Sequence, residues 1–253
     1  MHRTLLAGLT ATLAIAGTAH AAGSPRGSLS LSPAFVEHEA TPGAVGAVKV
    51  ANSSAKTLAV TVSARPWLQG RDGAVRADVR RSLTQVKLAA TTFKLAPGQA
   101  RSVPITLRAT PRAGSLYGAI EVIGSVQGAR AKNGVLVRYR LLGGLRLNPV
   151  ATKRRLHVQI GTARVVSRKA VLPVRNDGNT ALPIGGSAQV KGTTKGATGT
   201  VRSTIAAHRI LPGSTVELRL VGKRLKPGSY RATVTLRQGD RRVAQVTRSF
   251  RVR

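Results

Sequence analysis

The chain has 253 residues and carries 41 Lys and Arg against 8 Asp and Glu, so its formal net charge is +33 and its isoelectric point is near 12.0. It contains no Cys, which excludes disulfides and cysteine-linked lipid anchors and leaves burial to hold each domain together. Aromatic residues make up 3% of the chain, too few stacking platforms for nucleic-acid binding to be expected despite the charge.

Residues 1–21 have the layout of a secretory signal peptide. A short basic start is followed by an apolar segment over 5–18 and by the small-residue triplet Ala19-His20-Ala21. We expect cleavage after Ala21, a linker over 22–27 and a secreted, extracytoplasmic mature chain at the cell envelope. Because no later apolar run approaches the roughly 20 residues that cross a bilayer, we expect no transmembrane helix in the mature chain.

From Ser28 onward, short alternating apolar runs are broken by Gly, Pro, Asn and Ser, a pattern typical of an all-β chain. LSLSPAFVEH predicts a first strand with Leu29, Leu31 and Phe35 on its core side. The polar residues 69–81 predict a long loop or an edge strand. On the last hairpin Arg248 interrupts an apolar alternation, which predicts a bulge, an edge or a snorkelling side chain.

A shorter echo of residues 93–124 returns over 208–236. Each copy has a Pro-Gly turn between two strands and a Tyr, Tyr117 or Tyr230, that leads the next strand, while VKVAN in the first half matches LPVRN in the second. The repeat predicts two tandem immunoglobulin-like β-sandwiches, over 28–148 and 149–253. Each Tyr fits either a corner whose hydroxyl bonds back to the connecting loop or plain core packing.

Residues able to support catalysis or metal binding are scarce. There is no G-x-S-x-G elbow, and the mature chain has only His38, His157 and His208 as imidazole bases. Glu37-His38-Glu39 is the one local cluster of metal-ligand types, and strand alternation puts His38 on the opposite face from both Glu side chains. We therefore expect no enzymatic activity, no cofactor and no metal.

Basic clusters are the main candidates for ligand contacts. An exported chain of this charge meets anionic polymers, so we hypothesise that it binds peptidoglycan or an anionic wall glycopolymer. The same charge also fits ordinary solvated faces or genomic base composition. The candidate contacts are Arg76, Arg80, Arg81, Arg101, Arg108, Lys153, Arg154, Arg155, Arg241 and Arg242, and Arg112 and Glu121 are also predicted to point outward.

Three segments of the first half carry a family resemblance: LSLSPAFVEHEATPGAVGAVKVANSSAKTLAVTVSA, FKLAPGQARSVPITL and GSLYGAIEVIG. They resemble the N-terminal domain of the WxL-interacting protein family. That resemblance implies an exported, non-enzymatic protein whose first domain contacts peptidoglycan and whose second contacts a surface partner. The sequence lacks the C-terminal membrane helix expected in that family, so its anchoring would differ.

The same segments are more loosely similar to the first domain of PapD-type pilus chaperones. This resemblance implies two Ig-like domains in an L, a basic cleft that grips a subunit's C-terminus, and an alternating strand lent to the subunit by edge pairing. The run GVLVRYRLLGG suits such a strand and an ordinary core strand equally well, since it alternates Val135, Val137, Tyr139 and Leu141. The alternative to wall binding is therefore a PapD-like assembly factor for another secreted or pilus-type subunit.

Overall fold

The computed structural model describes residues 29–128, 138–181 and 183–253. The predicted signal peptide and linker, together with Val135 and Val137, lie outside the described residues. The strands, in chain order, are β1 (Leu29–Ser32), β2 (Phe35–Glu39), β3 (Gly43–Asn52), β4 (Leu58–Gln69), β5 (Val75–Ala77), β6 (Val86–Leu88), β7 (Thr92–Leu95), β8 (Ala100–Leu107), β9 (Leu116–Val126), β10 (Arg138–Asn148), β11 (Val158–Ile160), β12 (Arg164–Val166), β13 (Lys169–Asn176), β14 (Pro183–Gly192), β15 (Thr200–Arg209), β16 (Thr215–Arg219), β17 (Gly228–Gln238) and β18 (Arg241–Val252), with one 3-10 turn at Ala151–Lys153. Within these described ranges, no helix is long and apolar enough to cross a membrane.

Strands β1–β10 form a first sandwich of two sheets. One sheet has the order β1-β3-β8-β6, and the other has the order β2-β10-β9-β4, with β5 and β7 both paired to β4. Strands β2 and β10 run parallel, whereas the other described pairs in this sandwich are antiparallel. Alternate residues point inward and bury an aliphatic core that includes Val50, Val60, Ile105 and Ile120.

Strands β11–β18 form a second sandwich with its own core, which includes Ile184, Leu218 and Leu236. β13 pairs with β11, β12 and β16, and the facing sheet has the order β15-β14-β17-β18. Arg248 lies on the edge strand β18, and its guanidinium donates to the carbonyl of Gly161 at 3.3 Å. Its predicted edge position is thereby confirmed.

The sequence repeat corresponds to one local arrangement that both sandwiches use. Asn52 at the end of β3 and Asn176 at the end of β13 are buried, and each side-chain amide donates to backbone carbonyls of neighbouring loops. The backbone carbonyl of each Asn accepts the N–H of the glycine in the Pro-Gly turn, from Gly98 at 2.9 Å and from Gly213 at 2.7 Å. Both glycines have positive φ, a conformation that glycine adopts without strain. The Pro-Gly turn recurs because its glycine donates a hydrogen bond to the last residue of the corresponding strand in each sandwich.

The two repeated tyrosines turn out to have different roles. The Tyr230 hydroxyl donates back to the Lys226 carbonyl at 2.9 Å, as the corner interpretation predicts. The Tyr117 hydroxyl instead joins the two sandwiches, because it donates to Asn148 Oδ1 at 3.0 Å and accepts the backbone N–H of Ala181 at 3.1 Å.

The predicted first strand is wrong in its extent. After β1 the chain leaves one sheet and enters the facing sheet at β2, with Pro33 in the crossing. The crossing changes which residues point inward, so Val36 is buried and Phe35 is 55% exposed. Phe35 is therefore not the core residue that simple alternation from Leu29 predicts.

The polar stretch after β4 forms the edge strand β5 and, before it, a loop that contacts the second sandwich. Gln69 makes two of these contacts: its Nε2 donates to the Arg209 carbonyl at 2.9 Å, and its Oε1 accepts the Leu211 N–H at 2.8 Å. We call residues 69–74 the clasp, since they hold the two sandwiches together through hydrogen bonds.

Candidate functional site

Strand β10 leaves part of one edge open. It pairs with β9 from Arg138 to Leu147, but on its other side it pairs with β2 only over Gly144–Asn148. No strand in the described ranges pairs with that second side over 138–143. We call these six residues the open edge, and at about 3.3 Å a residue they are roughly 20 Å long.

The parity of the ladder shows which backbone groups face outward. The Gly144 N–H donates to the Ala34 carbonyl at 2.8 Å, away from β9. Because backbone groups alternate in direction along a strand and the β9–β10 ladder has no bulge, Leu142, Arg140 and Arg138 also direct their N–H and C=O groups away from β9. Three residues of the open edge thus present donors and acceptors at the spacing that an added strand requires.

Side chains on the inner face of the open edge are apolar and only partly covered. Tyr139 and Leu141 are half-buried and pack against the first core. Next to them, Gly143 lies so close to Leu31 of β1 that an added Cβ would be 3.0 Å from the Leu31 Cδ2 atom. An incoming strand with alternating apolar side chains would complete the cover of this end of the core.

The outer face beside the open edge carries a buried carboxylate. Glu121 on β9 was predicted to point outward to solvent, but it is only 2% exposed. The side chains of Arg65 and Arg140, on the neighbouring strands, cover it and donate to it through Nε at 3.0 Å and 2.7 Å, and Ser63 donates at 3.2 Å. Burial opposes ionisation of Glu121, but the hydrogen bonds from Arg140, Arg65 and Ser63 outweigh it and lower the pKa of this carboxyl below its ordinary 4.5.

Large apolar side chains lie on the same outer face. Leu142 is 42% exposed, and the ring of Phe35 lies over Gly144, where it would collide with an added Cβ. The guanidinium carbon of Arg146 is 4.4 Å from the centroid of the Phe35 ring. The open edge is therefore flanked by apolar groups on both faces and by arginines on the outer one.

The predicted basic contacts are distributed over separate elements. Arg76 is on β5, with Arg80 and Arg81 after it; Arg101 is on β8, with Arg108 after it; Lys153, Arg154 and Arg155 follow β10; and Arg241 and Arg242 begin β18. Several of the guanidinium groups have local partners: Arg81 lies 3.7 Å from Asp78, Arg101 lies over the Phe93 ring at 4.8 Å, and Arg154 and Arg242 donate to the Pro149 carbonyl and to Gln245. The structure brings the stretch that follows Arg155 and the pair Arg241–Arg242 together around one pocket.

The predicted histidines are not brought together. His38 is on β2, His157 precedes β11 and His208 is on β15. Across the described ranges there is no group of three His, Asp or Glu side chains that could hold a metal ion.

Sequence reasoning missed Leu142 in the open edge and Arg65 on the neighbouring outer face. The alternation in the strand was visible, but an edge is defined by what pairs with it, and the short parallel pairing of β2 has no local sequence signal.

Comparison with models of protein families gives no match, and neither does comparison with curated proteins. Two solved structures are similar over nearly their whole length. A chain of the chaperone–tip adhesin complex of CFA/I fimbriae biogenesis is 12% identical with a TM-score of 0.51, over 89% of this chain and 99% of that one. The class 5 fimbriae chaperone CfaA is 12% identical with a TM-score of 0.50, over the same shares of the two chains.

These matches establish the fold. The chain consists of two tandem immunoglobulin-like sandwiches, as the repeat predicted. Both neighbours agree with the two-domain Ig-like fold that the looser resemblance implies. Neither supports the resemblance to the WxL-interacting family or the predicted binding of a wall polymer.

Proposed function

We propose that this exported chain is a non-enzymatic assembly chaperone of the PapD type, which holds another exported subunit through the open edge of β10. The single observation that carries the proposal is that Arg138, Arg140 and Leu142 direct their backbone groups away from β9, on a side of β10 where no strand of the described ranges pairs with them. The fold shared with fimbrial chaperones supports it.

Added strands bind through two kinds of contact, and the open edge offers both. Each backbone hydrogen bond contributes about 0.5–1.5 kcal/mol net, which alone does not offset the cost of ordering an extended segment. Apolar side chains that pack beside Tyr139 and Leu141 would supply the remainder, because that end of the core is only partly covered. The partner segment is therefore an extended strand with apolar residues at every second position.

An edge of this kind also favours unwanted pairing between copies of a chain. Proteins commonly protect such edges with charged side chains, and Arg138 and Arg140 meet that description. Like charges on two copies repel each other, whereas a partner strand with acidic or neutral outward residues does not meet this barrier. The edge is thus better suited to a different chain than to a second copy.

Replacing Leu142 by proline tests the proposal. Proline removes the outward N–H but leaves the β9–β10 ladder intact, and Leu142→Ala keeps the N–H while shortening the same side chain. A tagged full-length chain is captured from its native host after in-cell crosslinking, and its exported partners are identified by mass spectrometry. We expect one exported subunit to copurify with wild type and Leu142→Ala and to be lost with Leu142→Pro.

The thermal midpoint of each variant shows whether it is folded. A second variant, Arg138→Pro, repeats the test at the end of the strand, where proline strains the backbone less. Equal capture of the subunit by the proline variants would contradict the proposal. So would a chain that is recovered only as a lone monomer, or only as a dimer with itself.

A further inference from the structure

The basic pair Arg241–Arg242 and the segment that follows Lys153, Arg154 and Arg155 line one pocket of about 240 Å³ in the second sandwich. Leu156, His157 and Val158 form one wall, directly after the basic stretch 153–155, and Arg241, Arg242 and Val243 form the other. Of these six described lining residues, none is acidic and three carry nitrogen donors. The pocket shares no residue with β10.

The wall that contains His157 is held in place by its backbone. Asn179 is almost fully buried, and its Nδ2 donates to the Lys153 carbonyl at 2.9 Å while its Oδ1 accepts the Arg155 N–H at 2.7 Å. The carbonyl of His157 accepts the N–H groups of Asp177 at 2.9 Å and Gly178 at 3.1 Å. The segment between the sandwiches is therefore fixed, although its basic side chains are exposed.

Gly178 allows this close approach. A Cβ at this position would collide with the Arg155 carbonyl oxygen and lie 2.9 Å from the His157 nitrogen. Only glycine lets the turn after β13 lie directly against the segment. The backbone of this wall is thus fixed before any ligand arrives, so binding does not have to order it.

The opposite wall presents two guanidinium groups. Arg242 is oriented by Gln245, whose Oε1 accepts from Nη1 at 3.0 Å. The nearby carboxylates do not line the pocket: Asp177 pairs with Arg175 at 2.6 Å, and Asp240 precedes the two arginines in the turn. The positive charge of Arg241 and Arg242 is therefore available to a ligand.

We propose that this pocket binds a phosphate group of a phosphate-bearing ligand. Guanidinium forks match phosphate oxygens, and a tetrahedral anion can accept from two Arg and one His at once, which a two-oxygen carboxylate does less well. The volume corresponds to roughly eight water molecules, enough for a phosphate and a small attached group. The ligand is a free phosphate, a phosphodiester polymer or a lipid headgroup, all of which share this chemistry.

The test uses the full mature chain and three probes: inorganic phosphate, a glycerol phosphate oligomer, and vesicles that contain phosphatidylglycerol. Binding of each is measured by titration calorimetry or vesicle sedimentation, over a salt series. The variant Arg241→Gln with Arg242→Gln is compared with Arg76→Gln with Arg80→Gln, which removes the same charge from exposed sites on the first sandwich.

We expect at least one probe to bind wild type, and the pocket variant to weaken that binding about 10-fold or more. The matched variant should change it by less than about 3-fold, because distant exposed charges are screened by salt. The probe that binds identifies the source of the phosphate. If both double variants lose the same affinity, binding depends only on the overall charge of the chain, and the proposal is overturned. The absence of binding by every probe at low salt would also overturn it.

Discussion

A buried carboxylate on the outer face of a sheet is the residue with the clearest electrostatic role in the first sandwich. Glu121 is enclosed by Arg65 and Arg140, whose side chains reach across from β4 and β10. Because Arg140 also belongs to the open edge, its pairing with Glu121 fixes a side chain that borders the proposed binding strand.

Replacement of Glu121 by Gln should lower the free energy of unfolding by about 1–3 kcal/mol, since two charge-assisted hydrogen bonds are weakened in a buried position. The pKa of Glu121 is lowered in the folded state, so its contribution is present above pH 4.5 and is lost as the pH falls through the folded pKa. The difference between wild type and Glu121→Gln should therefore shrink below pH 4.5. Urea unfolding followed by the fluorescence of the single Trp, Trp67 on β4, measures it.

Glu37→Gln is the matched control for that substitution. Glu37 is exposed and lies 3.8 Å from Arg146, so the ion pair contributes less than about 1 kcal/mol. If both substitutions cost the same, or if the Glu121→Gln difference persists unchanged at pH 3, the ion pairs do not stabilise the fold as described.

At the scale of an element, the ends of β3 and β13 each depend on the buried side-chain amide of one Asn, Asn52 or Asn176. Asn176→Ala would remove the amide donor to the Thr180 and Ile210 carbonyls and one of the two acceptors of the Gly178 N–H, which also donates to the His157 carbonyl. We expect the second sandwich to lose about 3–5 kcal/mol, because several buried polar groups become unsatisfied together.

Asn52→Ala gives the reciprocal control in the first sandwich. Trp67 lies in the first sandwich, so Asn52→Ala should shift the unfolding transition followed by Trp67 fluorescence. Circular dichroism follows both sandwiches, and Asn176→Ala should mainly shift the part of that transition that is absent from the fluorescence signal. A substitution that shifted neither transition would show that the repeated Asn is not a structural requirement.

Much of this architecture could be predicted from the sequence, because it follows from local alternation and turn chemistry. The Pro-Gly turns and matched Asn residues predicted the repeat and the two sandwiches. The switch of the chain between sheets at Pro33 could not be predicted, since β1 and β2 read as one alternating strand. Nor could the burial of Glu121, which depends on long side chains from strands that are distant in sequence.

The candidate site shows the same division. The alternation at Tyr139 and Leu141 predicted a strand that could serve either as a core strand or as a binding edge. The choice between them depends on how far β2 extends along β10, and that is a property of the assembled sheet.

At the scale of the whole molecule, the clasp couples the two sandwiches. Glu217 on β16 donates its backbone N–H to the Arg71 carbonyl at 2.6 Å, and its carboxylate pairs with Arg71 at 3.1 Å and with Arg164. Together with the hydrogen bonds of Gln69 to Arg209 and Leu211, these contacts hold the clasp against the second sandwich.

Gln69→Ala removes the two hydrogen bonds of Gln69 to the second sandwich, and its bond to the Gly73 carbonyl within the clasp, and should lower the coupling free energy between the sandwiches by about 1–3 kcal/mol. Differential scanning calorimetry should then resolve two transitions more widely separated than in wild type. Gln159→Ala, at an exposed Gln on β11, should leave the profile unchanged. Identical profiles for wild type and Gln69→Ala would show that the clasp does not couple the sandwiches.

The most direct test of the proposed chaperone function is site-specific photocrosslinking in the native host. A photoreactive amino acid at Leu142, in the open edge, is compared with the same group at Leu68 on β4; the two residues are 42% and 40% exposed. We predict that position 142 crosslinks to one exported subunit and that position 68 does not. Crosslinks to the same proteins in equal yield at both positions, or no subunit at position 142, would contradict the proposal.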